Sequence, residues 1–193
     1  TLEYDNSDGT GVMVPEGCTI YCTSPKNTVV ATGLMKIDGN LYADFRGQTT
    51  QGKDLSTGLG AIKETKPEEK EKSITPTQDI TFGSNANVFI NGSIRAINLK
   101  VESGANVYAE GNLFNNDANG NSTINGNLWV KGFVKARTLD VNGYLKSETA
   151  IKVTNQFNVN NGANVEASYI NVTNNTKDGQ KVIEKGEATL TLN

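Results

Sequence analysis

A nine-residue pattern of apolar and polar positions recurs four times along the chain. The copies are VPEGCTIYC from Val14, FGSNANVFI from Phe82, VESGANVYA from Val101 and VNNGANVEA from Val159. Each copy starts with an apolar residue, has a small residue four positions later, and then carries apolar or small residues at alternate positions. Such alternation is typical of a strand with one buried face.

Two further patterns interlock with this one. The template apolar-x-Ala-x-x-apolar-x-Val occurs in IRAINLKV from Ile94, VKARTLDV from Val134 and VEASYINV from Val165, and apolar-x-Gly-x-apolar recurs between these copies. Equivalent apolar positions run from Ile94 to Val165 in four steps, a mean of (165 − 94)/4, or just under 18 residues. The chain is therefore predicted to be all-β, a single-stranded parallel β-helix (solenoid) with three short strands and about 18 residues per rung.

An antiparallel meander is the alternative, because Asn-Gly between apolar strands is also a strong hairpin signal. Two features favour the solenoid. Small and branched residues fill the inward positions in a fixed order, as stacked rungs require. Gly126 and Gly132 are also only six residues apart, too close for two ordinary hairpins.

The pattern breaks in residues 46–79, which contain four Lys and four Glu between Lys63 and Lys72. Pro67 opposes a continuous helix there, and the opposite charges cancel. We expect an exposed loop inserted between rungs rather than a docking loop, since no aromatic or apolar anchor is evident. The predicted organisation is N-terminal β rungs in 1–45, a charged loop or insertion in 46–79, and the main β-helix in 80–193.

The composition excludes several kinds of catalytic and metal-binding site. The net charge is −3 and there is no histidine, which excludes Ser-His-Asp and Cys-His nucleophile systems and histidine metal sites. The mild charge argues against a nucleic-acid partner, and no apolar stretch is long enough for a membrane span. Cys18 and Cys22 fall on inward positions, so both are expected to be buried thiols. We expect no metal and no cofactor.

Carboxylates are the remaining route to catalysis. Between Ser84 and Thr176 they are Glu102, Glu110, Asp117, Asp140, Glu148 and Glu166, scattered about one per strand. Alignment of the templates predicts a mixed-charge column of Arg95, Lys135 and Glu166. A solvated face accounts for this pattern better than a catalytic pair, so the protein is predicted not to be an enzyme.

Asparagine is concentrated in one part of the chain: 21 of the 25 lie between Asn85 and Asn175. Stacked rungs would align such side chains into amide ladders, and that structural role is the default. The functional alternative is a polar shelf for sugars, for which the candidate aromatic residues are Trp129, Tyr108, Phe133 and Tyr144. Trp129 lies between two inward positions and should project outward, although packing at an edge is the simpler role for it.

The run IRAINLKVESGANVYAEGNL resembles the repeat of the bactofilins, bacterial polymer-forming proteins. The matching residues are Gly92, Ile94, Ala96, Leu99, Val101, Gly104, Ala105 and Val107. The resemblance covers about residues 82–172 and implies a right-handed β-helix and end-to-end association. The long irregular insertions and Asn-rich surface resemble secreted or surface-anchored β-solenoids of Bacteroides-type bacteria, many of which are assigned to adhesion.

The predicted function is a non-enzymatic, surface-exposed scaffold or adhesion module that binds a glycan or an extracellular protein through its sheet faces. The expected location is secreted or on a bacterial cell surface, from a processed or lipid-anchored precursor. One alternative is a bactofilin-like self-assembling filament protein, because the C-terminal KVIEKGEATLTLN alternates without a polar cap. A second is a polysaccharide-active β-helix enzyme.

Overall fold

The structure, a computed structural model, describes residues 2–4, 12–22, 29–31, 35–43, 54–57, 79–90, 93–115, 120–173, 182–184 and 189–192. Within these ranges every regular element is a β-strand and no helix occurs. The strands pair in parallel throughout, which confirms the all-β parallel solenoid and excludes the antiparallel meander.

The strands form three columns, each running along the solenoid. The first column contains β2 (Val12–Val14), β5 (Met35–Ile37), β8 (Ile80–Phe82), β11 (Asn98–Val101), β14 (Asn121–Ile124), the second halves of β16 (Val134–Val141) and β18 (Ala150–Val159), and β21 (Val182–Glu184). The second contains β3 (Thr19–Cys22), β6 (Asn40–Ala43), β9 (Asn87–Ile90), β12 (Asn106–Ala109), β15 (Asn127–Val130), β17 (Tyr144–Ser147), β19 (Asn164–Ala167) and β22 (Thr189–Leu192). The third contains β1 (Leu2–Tyr4), β4 (Val29–Ala31), β7 (Asp54–Thr57), β10 (Ser93–Arg95), β13 (Leu113–Asn115), the first halves of β16 and β18, and β20 (Tyr169–Val172).

Each column contains eight described strands or half-strands, and one turn of the solenoid takes about 20 residues. In the first column Ile80 pairs with Leu99, Leu99 with Ser122, and Ser122 with Leu139. These steps are 19, 23 and 17 residues long, so the rung length varies around a mean close to the predicted repeat. The turns between columns absorb the difference, because the strands themselves stay in register.

The core is a set of stacked apolar residues enclosed by the three columns. In the second column the inward residues Val88, Val107, Leu128, Leu145 and Val165 pair in succession and are all buried. Like stacks on like at the rung spacing, so each rung covers the apolar surface of the one before it. The inward positions inferred from the repeat are confirmed here.

The predicted burial of both cysteines is wrong for Cys18, which is exposed. Its repeat equivalents Ala86, Ala105 and Ala163 are buried between rungs. Cys18 instead precedes β3, the edge strand of the second column, and no described rung lies beyond it. The side chain of Cys22 lies outside the described part of the chain.

The predicted charged loop contains one strand of the solenoid. β7 pairs with both β4 and β10, so Asp54–Thr57 continues the third column. Apart from these residues and Asp79, the segment 46–79 lies outside the described residues.

The predicted column of Arg95, Lys135 and Glu166 is also wrong. The backbones of Arg95 and Lys135 are both in register with Phe114 in the third column, whereas Glu166 pairs with Lys146 in the second. The template that starts at Val165 begins in a different column from the templates that start at Ile94 and Val134. The same spacing of apolar residues along the sequence therefore did not place these residues in the same column.

Candidate functional site

The second column of strands presents two rows of side chains on its outer face. Residues two apart in a strand point to the same side, so each strand contributes one residue to each row. The first row, the amide row, is Thr19, Asn40, Asn87, Asn106, Asn127, Tyr144, Asn164 and Thr189. The second, the aromatic row, is Tyr21, Tyr42, Phe89, Tyr108 and Trp129, followed by Lys146 and Glu166.

The amide row is a continuous hydrogen-bonded ladder over five rungs. Asn127 Nδ2 donates to Asn106 Oδ1 at 2.9 Å, and Asn106 Nδ2 donates to Asn87 Oδ1 at 3.4 Å. Asn87 Nδ2 donates to Asn40 Oδ1, and Asn40 Nδ2 to Thr19 Oγ1, both at 3.2 Å. A primary amide has two N–H groups and two lone pairs, and the ladder uses only part of this capacity. Asn87, Asn106 and Asn127 are exposed, so a ligand can reach these amides.

The aromatic row is packed ring against ring. Phe89 and Tyr108 stack with centroids 5.6 Å apart and an interplanar angle of 20°. Trp129 meets Tyr108 edge-on, at 5.1 Å and 80°, so its plane is turned relative to the rest of the row. Trp129 is 40% exposed, which confirms that it projects outward. Its ring carries the Lys146 ammonium 4.7 Å from the centroid, a cation–π contact.

Charged groups beside and within the aromatic row are engaged with each other or with aromatic residues of the two rows. The Glu110 carboxylate accepts hydrogen bonds from Lys131 Nζ at 3.1 Å and from the Tyr108 hydroxyl at 2.9 Å. Trp129 Nε1 donates to Glu148 Oε1 at 3.1 Å. The Tyr144 hydroxyl donates to Glu166 Oε2.

These contacts shift the acidity of the groups that make them. The hydrogen bonds from Lys131 and then Tyr108 lower the pKa of the Glu110 carboxyl. Burial, reinforced by the hydrogen bond to Glu110, raises the pKa of Tyr108 to about 12. Burial and the hydrogen bond to Glu166 likewise raise the pKa of Tyr144 to about 12. At neutral pH both phenols therefore remain donors.

The two rows line a shallow groove with a volume of about 520 Å³. Its surface comes from the amides of Asn87, Asn106 and Asn127 and from the rings of the aromatic row between Tyr42 and Trp129. Tyr144 contributes one end. None of the lining residues carries a charge.

The groove brings together three of the four aromatic residues proposed from the sequence. Tyr108, Trp129 and Tyr144 all line it. Phe133 does not: it lies immediately before β16 and packs edge-on against Phe114, with centroids 5.2 Å apart.

Sequence reasoning missed Tyr42 and Phe89. For Phe89 the signal was present, because it occupies the eighth position of the nine-residue repeat, the same position as Tyr108. Tyr42 follows an Asn by two residues, as Phe89 and Tyr108 do. A search at that repeat position would have found Tyr21, Phe89 and Tyr108, whereas Tyr42 and Trp129 lie outside the four copies.

No family model, curated protein or solved structure matches this chain. Within the described ranges, no group of three or more acidic or cysteine side chains is arranged to hold a metal ion. The same ranges contain no helix with the length and apolar character that crossing a membrane requires.

Proposed function

We propose that this protein is a non-enzymatic β-solenoid scaffold that binds a glycan in the groove of its second column of strands. The observation that carries the proposal is the pair of parallel rows, one of amides and one of rings, on a single outer face. Display of such a face suits an adhesion module that is secreted or held on a bacterial surface.

The chemistry of the groove suits sugars. A pyranose ring offers hydroxyl groups that both donate and accept, and an apolar face of C–H groups. Asparagine amides complement the hydroxyls with both donor and acceptor atoms, while aromatic rings bury the apolar face. Trp129 is the strongest stacking candidate, because its indole is turned out of the stacked row.

The rigidity of the site adds to its suitability. Each of Asn87, Asn106 and Asn127 is held by its neighbour in the ladder, and the strands beneath them are hydrogen-bonded on both sides. Side chains that are already ordered lose little conformational entropy when a ligand binds. A weakly binding sugar gains from this preorganisation.

A glycan array followed by isothermal titration calorimetry tests the proposal. We expect binding to at least one glycan, and an affinity loss of about tenfold for Trp129→Ala, equivalent to roughly 1.4 kcal/mol. Tyr169→Ala is the matched control, because Tyr169 is an exposed aromatic residue on the third column and is 53% accessible. Circular dichroism checks that both variants keep their β structure.

Two results would overturn the proposal. One is the absence of binding to every glycan on the array, including the case in which only extracellular proteins bind. The other is an equal loss of affinity in Trp129→Ala and Tyr169→Ala, which would place the ligand away from the groove.

Self-association is a second candidate function, favoured by the ends of the second column. Among the described residues, β3 pairs only with β6, and β22 pairs only with β19, so each leaves one strand edge without a described partner. A further copy could add a rung at such an edge, as in a bactofilin-like filament. Light scattering after size exclusion, with negative-stain microscopy, would reveal long end-to-end assemblies if this function holds and a single 20.7 kDa species if it does not.

A polysaccharide-active enzyme has the least support. A general acid in glycoside hydrolysis needs a carboxyl with a raised pKa. The Glu110 carboxyl beside the groove has its pKa shifted in the opposite direction by Lys131 and Tyr108. This favours binding over hydrolysis at the groove.

A further inference from the structure

Resting on the proposed glycan-binding function, the groove also constrains the class of glycan. We infer that the ligand is an uncharged, extended polysaccharide that lies along the solenoid axis and crosses the strands at right angles. Three features support this ligand: the direction of the two rows, the charges around them, and the rung at which both rows change.

The direction follows from the repetition of the amide row. Asn40, Asn87, Asn106 and Asn127 repeat once per rung, at a spacing of about 4.8 Å. A chain lying along one strand would meet a single amide and a single ring. A chain lying along the axis meets an equivalent amide at every rung, so a polymer of repeating sugars is matched by a repeating surface.

The charges favour a neutral ligand. The groove lining is uncharged, and the charged groups that contact its aromatic residues, directly or through Glu110, are three carboxylates, Glu110, Glu148 and Glu166, and two ammonium groups, Lys131 and Lys146. Acidic groups are thus in excess by one. Lys131 is engaged by Glu110, and Lys146 lies over the Trp129 ring. A uronate or sulfate would meet a net negative edge whose cations are already occupied.

The length of the site is set by the rung at which the repeated residues of the two rows end. At β17 the amide row changes from Asn127 to Tyr144, and at the same rung the aromatic row changes from Trp129 to Lys146. The uniform part of the groove therefore covers the four rungs β6, β9, β12 and β15. With about one sugar per rung at a spacing of about 4.8 Å, the site accommodates on the order of four sugars.

The experiment compares size-defined neutral oligosaccharides, β-1,4-linked glucose and mannose series, with galacturonate oligomers of equal length, by calorimetry at low and high salt. We expect the neutral series to bind, with affinity rising with chain length and levelling off near four units. Salt should change that affinity by less than about twofold, because no ion pair forms.

Three asparagine variants test the orientation. Asn87→Ala and Asn127→Ala alter rungs at separate points of the groove, and each should weaken binding of the four-unit oligomer by several-fold, on the order of one hydrogen bond. Asn164→Ala is the matched control: Asn164 is exposed and belongs to the same row, but lies beyond Tyr144. It should leave the affinity unchanged.

The outcomes separate this inference from the proposed function. Tighter, salt-sensitive binding of the galacturonate series would overturn the neutral class while leaving glycan binding intact. Affinity independent of chain length, or an equal effect of Asn164→Ala, would overturn the axial orientation. If no neutral or acidic oligosaccharide binds and the glycan array is also negative, the proposed function itself fails.

Discussion

The corner at Gly143, between β16 and β17, is a tight point of the solenoid, where one rung rests on the backbone of the rung before it. A Cβ atom at this position would lie 2.5 Å from the Asn125 carbonyl oxygen and closer still to that of Gly126. Both neighbours are backbone atoms, so no flexible side chain can swing away. We therefore predict that Gly143→Ala destabilises the fold strongly.

The magnitude has two parts. Forcing a methyl group into a well-packed site costs about 1–3 kcal/mol. The Gly126 carbonyl that must move also accepts a hydrogen bond from Tyr144 N–H at 2.9 Å, and losing that bond costs about 1 kcal/mol. The expected loss in the free energy of unfolding is thus about 2–4 kcal/mol.

Gly162→Ala is the matched comparison, because Gly162 is also a corner glycine but has open space around its Cβ position. Its φ of 78° strains any residue with a side chain, at a cost of about 1–2 kcal/mol. Urea unfolding followed by circular dichroism, with the dependence on urea compared between variants, measures both. An equal or smaller loss for Gly143→Ala would refute the steric argument and imply that the corner relaxes.

Three further predictions concern buried or hydrogen-bonded polar groups. Ser122 is fully buried among Leu99 and Leu139 and its hydroxyl has no partner within the described residues, so Ser122→Ala should raise the free energy of unfolding by about 1 kcal/mol. Ser147→Ala should lower the free energy of unfolding by a similar amount, since Ser147 Oγ donates a hydrogen bond to the Gly132 carbonyl at 2.8 Å. Urea unfolding measures both variants, and changes of the same sign would contradict the reasoning. Ultraviolet titration of tyrosinate should show one group fewer ionising near pH 12 in Tyr144→Phe than in the parent protein. Because folding raises the pKa of Tyr144 above the unfolded value near 10, the contribution of this tyrosine to stability is complete below about pH 10 and is lost as the pH rises through about 12. If Tyr144 ionised near pH 10, its hydrogen bond to Glu166 would not be maintained.

The inward-facing residues could be predicted from the sequence, because they follow from the alternation of inward and outward positions within each strand. Val88, Val107 and Leu128 each lie between two outward-facing residues, and their burial needs only that like rungs stack. Trp129 was correctly expected to face outward for the same reason. Prediction was weaker where the pattern stops: Cys18 has the sequence context of a buried position, but it lies at an end where no described rung covers it.

The site could be predicted only in part, because neighbours across rungs are set by register. Asn40 and Asn87 are 47 residues apart yet hydrogen-bonded, whereas Asn106 and Asn127 are 21 apart. Unequal turns between the strands decide these pairings, and no single sequence period describes them. Phe133 is aromatic like the groove residues, but it immediately precedes a strand of another column.

The sequence by itself therefore determined the all-β class, the parallel stacking and the identity of most core residues, since alternation and a near-constant repeat follow from burying one face of each strand. The tertiary structure alone decided which outward residues become neighbours. Because outward side chains are not buried, no hydrophobic pattern in the sequence marks their positions. The amide row, the aromatic row and the groove between them therefore form only when the rungs are in register.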